Sequence, residues 1–162
     1  MTEEQAVQAE LESTFPALQG KTRVARVRRV FAEVPADQIG AVLDHAVARM
    51  GFTILCTITG LDLGETFGVI YHIARESGVV LNLEIRVPKA QPVVQSIITR
   101  FAAAELYERE MVDLLGIQVQ GLPQGKRYPL PDDWPAGQYP LRKDWKPAPS
   151  AQDKAPGEVK NE

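Results

Sequence analysis

The chain has 162 residues, 44% of them apolar, with 18 basic and 21 acidic side chains and a formal charge of −3. That length predicts one domain with a tail, and the near balance of charge gives no overall pull toward nucleic acid or anionic lipid. The single cysteine, Cys56, excludes a disulfide framework, a zinc site of several thiolates and an iron-sulfur cluster ligated by this chain alone.

No run reaches the ~18 apolar residues of a membrane span, and the opening MTEEQAVQAE is acidic where a signal peptide begins basic. A soluble intracellular chain, or one peripheral on a larger assembly, is expected. Thr2 and Gln5 form a capping-box pattern ahead of Val7, Leu11 and Phe15, predicting a short first helix that ends near Pro16. From Arg23 to Val34 the residues Val30, Ala32 and Val34 alternate with Arg29, Phe31 and Glu33, the period of one half-buried strand that Pro35 stops. Ile39, Val42, Leu43, Ala46, Val47 and Met50 make a helical stripe, with Gly51 where a left-handed cap belongs. Three strand-like runs follow, Phe52 to Thr59, Thr66 to Ile73 and Val79 to Val87, joined by the turn-like GLDLGET and RESG. This order predicts an α+β domain over residues 1–121, a largely antiparallel sheet with helices packed on one face.

Pro92 is expected to open a further helix. At about 100° per residue, Val94, Ile97, Ile98 and Phe101 centre on one direction, and Ala104, Tyr107, Met111, Leu114 and Leu115 on another roughly 100° away. One straight helix cannot bury both stripes, so a break near Ala102 to Ala104 is predicted, placing Glu105, Glu108, Arg109 and Asp113 on an outer surface, with Gly116 ending the helix. Residues 122–149 hold seven prolines and the aromatics Tyr128, Trp134, Tyr139 and Trp145 without any period. Such a chain builds no core of its own, yet carries too many anchors for a linker. It is read as an extended docking arm lying partly on its own domain and partly on a partner, and residues 150–162 as a disordered tail.

The carboxylates Glu105, Glu108, Glu110 and Asp113 invite a metal or acid-base proposal, with His45 or His72 brought in by the fold. Dinuclear carboxylate sites, however, draw ligands from several facing helices and use Glu-x-x-His pairs, which are missing here. A charged helix side with Glu105 and Arg109 paired at i, i+4 is the favoured reading, and an independent carboxylate-based metal enzyme is the alternative. His45 and His72 are read as surface or hydrogen-bonded histidines, and Cys56 as a buried inert thiol. The glycines of GLDLGETFG join two strands and cradle no phosphate. Arg23, Arg26, Arg28 and Arg29 suit an acidic protein surface or a solvated edge better than nucleic acid. In PLRKDW, Arg142, Lys143 and Asp144 lie between apolar anchors, a setting in which arginine is often an interface hot spot.

The run EREMVDLLGI, followed by a proline-rich stretch, LPDDWP and YPLRKDW, resembles the signature of one NADH-quinone oxidoreductase family, that of the thirty-kilodalton subunit of respiratory complex I and its relatives. The likeness spans about residues 25–146 and extends to the homologous subunits of membrane-bound energy-converting hydrogenases. Where the family usually has Gly-His-Pro, this chain has Gly121-Leu122-Pro123, and Gln124-Gly125-Lys126-Arg127 replaces the common Asp-Leu-Arg-Arg. The resemblance implies a structural subunit without cofactor or catalytic site of its own, in the hydrophilic arm of a redox complex at the cytoplasmic face of the membrane. Its partners would be the large catalytic subunit and the small iron-sulfur subunit, with iron-sulfur clusters and nickel-iron or flavin groups on those partners. Glu108, Arg109, Glu110, Asp113, Tyr128, Trp134, Tyr139, Arg142, Lys143, Asp144 and Trp145 are the expected interface positions.

Overall fold

The structure is a computed structural model that describes residues 1–147; the tail expected to be disordered lies outside the described residues. Helix α1 (Glu3–Thr14) starts on the anticipated capping box: Thr2 Oγ1 accepts from the Gln5 N–H, and Gln5 Oε1 accepts from the Thr2 N–H. Strands β1 (Thr22–Arg26) and β2 (Arg29–Glu33), helix α2 (Ile39–Met50), strands β3 (Ile54–Asp62), β4 (Thr66–Ala74), β5 (Val80–Pro88) and β6 (Val93–Gln95), helix α3 (Ala104–Leu115) and strand β7 (Gln118–Gln120) follow. Five strands form one sheet in the order β1-β2-β5-β4-β3, antiparallel except for the parallel β2–β5 pair. The fold is therefore α+β, as expected, with a mixed and mainly antiparallel sheet.

Register assigns each side chain to a face. Val30, Leu81, Ile73, Ile85 and Val69 share one face, with Phe67, Tyr71, Leu83 and Val87 beside them, all buried in one core with the apolar stripes of the three helices. The opposite face carries Phe31, Glu33, Glu84, Arg86, Ile70 and His72, which are half-buried or exposed. Across that face the Asn82 amide donates to the Val30 carbonyl at 2.8 Å, so its Oδ1 accepts from His72 Nδ1 at 2.6 Å, and His72 Nε2 meets Thr59 Oγ1 at 2.9 Å. His72 is thus a hydrogen-bonded histidine, and His45 likewise faces Glu10 at 3.0 Å.

Two elements differ from the reading of the sequence. The single strand expected from Arg23 to Val34 is a hairpin, β1–β2, turned by Val27 and Arg28 with Arg28 at φ 59°. Nothing in RVRRV announces a turn. The left-handed conformation, unfavourable by roughly 1–2 kcal/mol for a side chain with Cβ, is held by α1, whose Glu4 carboxylate accepts from the Arg28 N–H at 2.7 Å. The helix expected from Pro92 is instead strand β6, paired parallel with β7, then turns up to Ala103. A distant strand supplies the hydrogen bonds that helical periodicity had suggested would be local. The phase break at 102–104 marks where α3 begins, not a kink.

Cys56, expected to be buried, is exposed at an irregularity of β3 between Leu55 and Thr57. Nearby, α3 lies against β3 so closely that a Cβ on Gly60 would come within 2.5 Å of Leu115 Cδ1. Gly60→Ala is expected to destabilise the domain by about 1–3 kcal/mol, the usual effect of overpacking. Leu115→Ala, which opens that space, should be less harmful in the Gly60→Ala background than alone; additive effects in a double-mutant cycle followed by chemical denaturation would contradict the close contact.

Candidate functional site

The charged residues of α3 were expected to point outward, and for two of them the structure reverses this. Glu108 is 1% exposed and Asp113 is 6% exposed. Because Val94, Ile97 and Phe101 belong to a strand and turns and not to a helix, the segment around residue 96 folds over α3 and covers Glu108. Glu108 Oε2 accepts from Ser96 Oγ at 2.6 Å and Oε1 from the Ile97 N–H at 2.7 Å. Burial pushes the Glu108 carboxyl up from its ordinary value, and the bonds from Ser96 and Ile97 only partly offset it. Several kcal/mol of desolvation per buried ion here outweigh two hydrogen bonds of about 1.5–3 kcal/mol each. Glu108 staples the β6–α3 connection.

Asp113 and Asp62 hold the arm. Asp113 accepts from Arg127 Nε at 2.8 Å and from the Leu130 N–H at 3.0 Å, while Arg127 also donates to the Trp134 carbonyl at 2.9 Å. Asp62, buried at the end of β3, accepts from Lys89 Nζ at 2.8 Å, from the Lys143 N–H at 2.9 Å and from the Gly64 N–H at 2.8 Å. Burial alone would raise the Asp62 carboxyl, but these donors outweigh it and hold it at about 2, against an ordinary 3.8. Lys89 also reaches Asp144 at 3.1 Å, tying PLRKDW to the end of β5 through two carboxylates.

Between these anchors the two halves of the signature meet in space. The Leu141 N–H donates to the Leu114 carbonyl at 3.1 Å, and Arg142 Nε to the Leu115 carbonyl at 2.7 Å, satisfying the last turn of α3. The Arg142 guanidinium lies 4.3 Å from the Tyr139 ring centre and 5.3 Å from that of Phe67. Gly116, at φ 69°, ends α3, and a Cβ there would fall 2.5 Å from Tyr139 Cζ and 2.6 Å from an Arg142 nitrogen. Glycine is needed both for the left-handed cap and for the arm's approach. Arg109 pairs with Glu105 at 2.8 Å, as expected, and donates to the Pro123 carbonyl at the start of the arm.

Farther along, Trp134 and Trp145 lie 6.1 Å apart, their indole N–H groups donating to the carbonyl and side-chain oxygens of Gln138. With Pro135 and Pro147 they line a groove of about 520 Å³. Tyr128, Lys143 and Asp144 are exposed, and Glu110 is half-buried. Asp62, Lys89 and Ser96 carry no signal in the sequence: Asp62 lies in the turn-like GLDLGET, and no local pattern links it to residues 89 or 143. The carboxylates of α3 serve separate tasks and do not converge, and among the described residues no group of three or more His, Cys, Asp or Glu is placed to hold a metal ion. Among the described residues, no helix is long and apolar enough to cross a membrane.

The class defined by this geometry is a small α+β domain that clasps its own proline-rich arm. Residues 32–151 match the family of the respiratory-chain NADH dehydrogenase 30 Kd subunit, and the chain belongs to that family. It is 32% identical over 143 residues to a subunit of the F(420)H(2) dehydrogenase of Methanosarcina mazei, covering 86% of this chain and 90% of that one. It is also 32% identical over 140 residues to a subunit of the NADH-quinone oxidoreductase of Moorella thermoacetica, covering 85% and 91%. Among solved structures, a chain of the membrane-bound sulfane sulfur reductase, an archaeal respiratory membrane complex, superposes with a TM-score of 0.79 at 25% identity, covering 90% of this chain and 86% of that one. A trypsin-resistant fragment of Nqo5 shares the fold, with a TM-score of 0.61 at 24% identity over 71% of this chain and 98% of that fragment. The family is one of subunits of respiratory complexes.

Two outcomes test the carboxylates. Glu108→Gln keeps an acceptor for Ile97 and removes a disfavoured charge, so its stability should stay within about 1 kcal/mol of the parent, whereas Glu108→Ala strands two donors and should lose about 2–3 kcal/mol; equal effects in urea denaturation would contradict the staple. The chain's two tryptophans both lie in the arm, so their emission reports its docking. Asp62→Asn should shift that emission to longer wavelength with far-UV circular dichroism retained. Since the folded carboxyl lies below its ordinary value, the Asp62 contribution is complete above about pH 4 and is lost as pH falls toward about 2; an emission spectrum unchanged across that window would contradict the latch.

Proposed function

We propose that the chain is a structural subunit of the hydrophilic part of a membrane-associated redox complex, where it docks on the large catalytic subunit and the small iron-sulfur subunit. The observation that carries this reading is the clasped arm: a segment too poor in apolar residues to build a core is fastened to α3 and β3, with Tyr128 exposed and Trp134 and Trp145 half-buried. A preorganised aromatic surface binds without the entropy loss of ordering a loose chain. On this reading Tyr128, Trp134, Lys143 and Trp145, with Tyr139, Asp144 and Glu110 beside them, supply the contact surface. Asp113 and Arg142 act from inside, positioning the arm, Arg109 fixes its start, and Glu108 holds the β6–α3 connection beneath them. Electron-carrying groups, iron-sulfur clusters with nickel-iron or flavin, belong to the partners, and the site of action is the cytoplasmic face of the membrane. The names of relatives support it, since M. mazei F(420)H(2) dehydrogenase and the Pyrococcus furiosus membrane-bound hydrogenase each carry a similar subunit. The competing metal-enzyme reading loses ground because Glu105, Glu108 and Asp113 are each engaged by a different partner.

The test is recovery of the complex through an affinity tag on this chain, expressed in its own host. The parent should bring down its partner subunits in fixed proportion, and Trp134→Ala with Trp145→Ala should reduce that recovery by at least about tenfold while the isolated chain keeps its secondary structure. A parent chain that purifies alone from cells containing the assembled complex would sink the subunit reading.

A further inference from the structure

The geometry points to the free edge of β3 as a strand-addition site for an extended segment of another subunit, one with apolar side chains and a Lys or Arg opposite Glu110. This assignment rests on the subunit reading above and locates one contact of the proposed docking. The two edges of the sheet are built differently. Strand β1 is short, five residues, with Arg23 and Arg26 along it, a common guard against edge pairing. Strand β3 is nine residues long, ILCTITGLD, without proline or lysine and with a charge only at its last position. Its irregularity lies at Leu55 to Thr57, and from Thr57 to Asp62 the register against β4 is unbroken.

The backbone along that stretch is available. Leu63 donates to the Thr66 carbonyl at 2.9 Å, which sets the alternation of the antiparallel ladder. Leu61 and Thr59 then bond to β4, and the N–H and C=O groups of Asp62, Gly60 and Ile58 point away from it. The Cys56 carbonyl already accepts from the Tyr107 hydroxyl at 3.2 Å, which closes the edge at that end. Beyond the edge is a cleft of about 250 Å³ whose opposite wall is Glu110, Met111, Leu114 and Leu115, with Leu141 of the arm at its mouth, 56% exposed. A strand laid here gains main-chain hydrogen bonds on one side and an apolar wall on the other.

Charge selects the occupant. Glu110 makes no ion pair or side-chain hydrogen bond among the described residues, although its neighbours Glu105, Glu108 and Asp113 all do, and it stands half-buried in a wall that is otherwise apolar. A basic side chain on the incoming strand would complete it. A second copy of this chain paired edge to edge would offer Glu110 no cation from its own β3, since ILCTITGLD holds no basic residue.

Residue-resolved hydrogen exchange on the full chain, alone and within the complex recovered through its tag, tests the site. In the isolated chain the amides of Ile58 and Gly60 should exchange fast although they lie inside a nine-residue strand, while those of Thr59 and Leu61 are slow. In the complex Ile58 and Gly60 should slow by at least about tenfold, and Glu110→Lys should abolish that protection or reduce recovery of the complex by a similar factor. A complex in which both amides remain fast overturns the strand-addition site and leaves the subunit reading standing; a chain that recovers no partner overturns both. Protection that comes with cross-links between two copies of β3 also overturns the proposed occupant.

Discussion

Asp62 places a carboxylate in the interior at the end of β3, and a buried carboxylate must be met by donors or become neutral. Two of its donors are Gly64, in the turn that follows β3, and Lys89, just past the end of β5, and the third is the Lys143 N–H, 81 residues further along the chain. Without the arm this carboxylate keeps Gly64 and Lys89 but lacks its third donor. Asp113 repeats the arrangement from α3 through Arg127 and Leu130, and Arg142 in turn donates to a terminal carbonyl of that helix. Arm and domain satisfy each other's polar groups, which explains how a proline-rich segment without a core is held in one place.

Helix α3 distributes its acidic residues among different tasks. Glu105 orients Arg109 toward the start of the arm, Glu108 stitches the preceding turn to the helix, Asp113 anchors the middle of the arm, and Glu110 alone is left facing a cleft. A cluster in sequence is dispersed in space because successive helical residues turn by about 100°. The same dispersal separates a structural role, where a carboxylate accepts bonds from fixed donors, from a catalytic role, where several groups converge on one point.

Much of the fold was legible in the residues. The capping box at Thr2, the stripe of α2 ending on Gly51, and the alternation of β4 and β5 all predicted elements that form, because each rests on local periodicity or local hydrogen bonding. The failures share one cause, which is that a distant partner decided the outcome. Val93 and Val94 lie on β6 because β7 pairs with them across the whole of α3, and Arg28 turns a hairpin because Glu4 accepts its N–H. Glu108 and Asp113 looked like surface residues because charge usually is; only the turn from Ser96 and the arm from Arg127 bury them. The signature residues were recognisable as a pattern, but not the fact that EREMVDLLGI and PLRKDW close on each other.

A surface that is already ordered can dock quickly and specifically, whereas a loose arm would have to be ordered by its partner. The arm is clasped on its own domain with no partner present. Backbone nitrogen-15 relaxation of the isolated chain measures this directly. The amides of Leu130, Leu141 and Lys143 should show order parameters close to those of α3, about 0.85, and values below about 0.6 would mean that the arm is free until it binds.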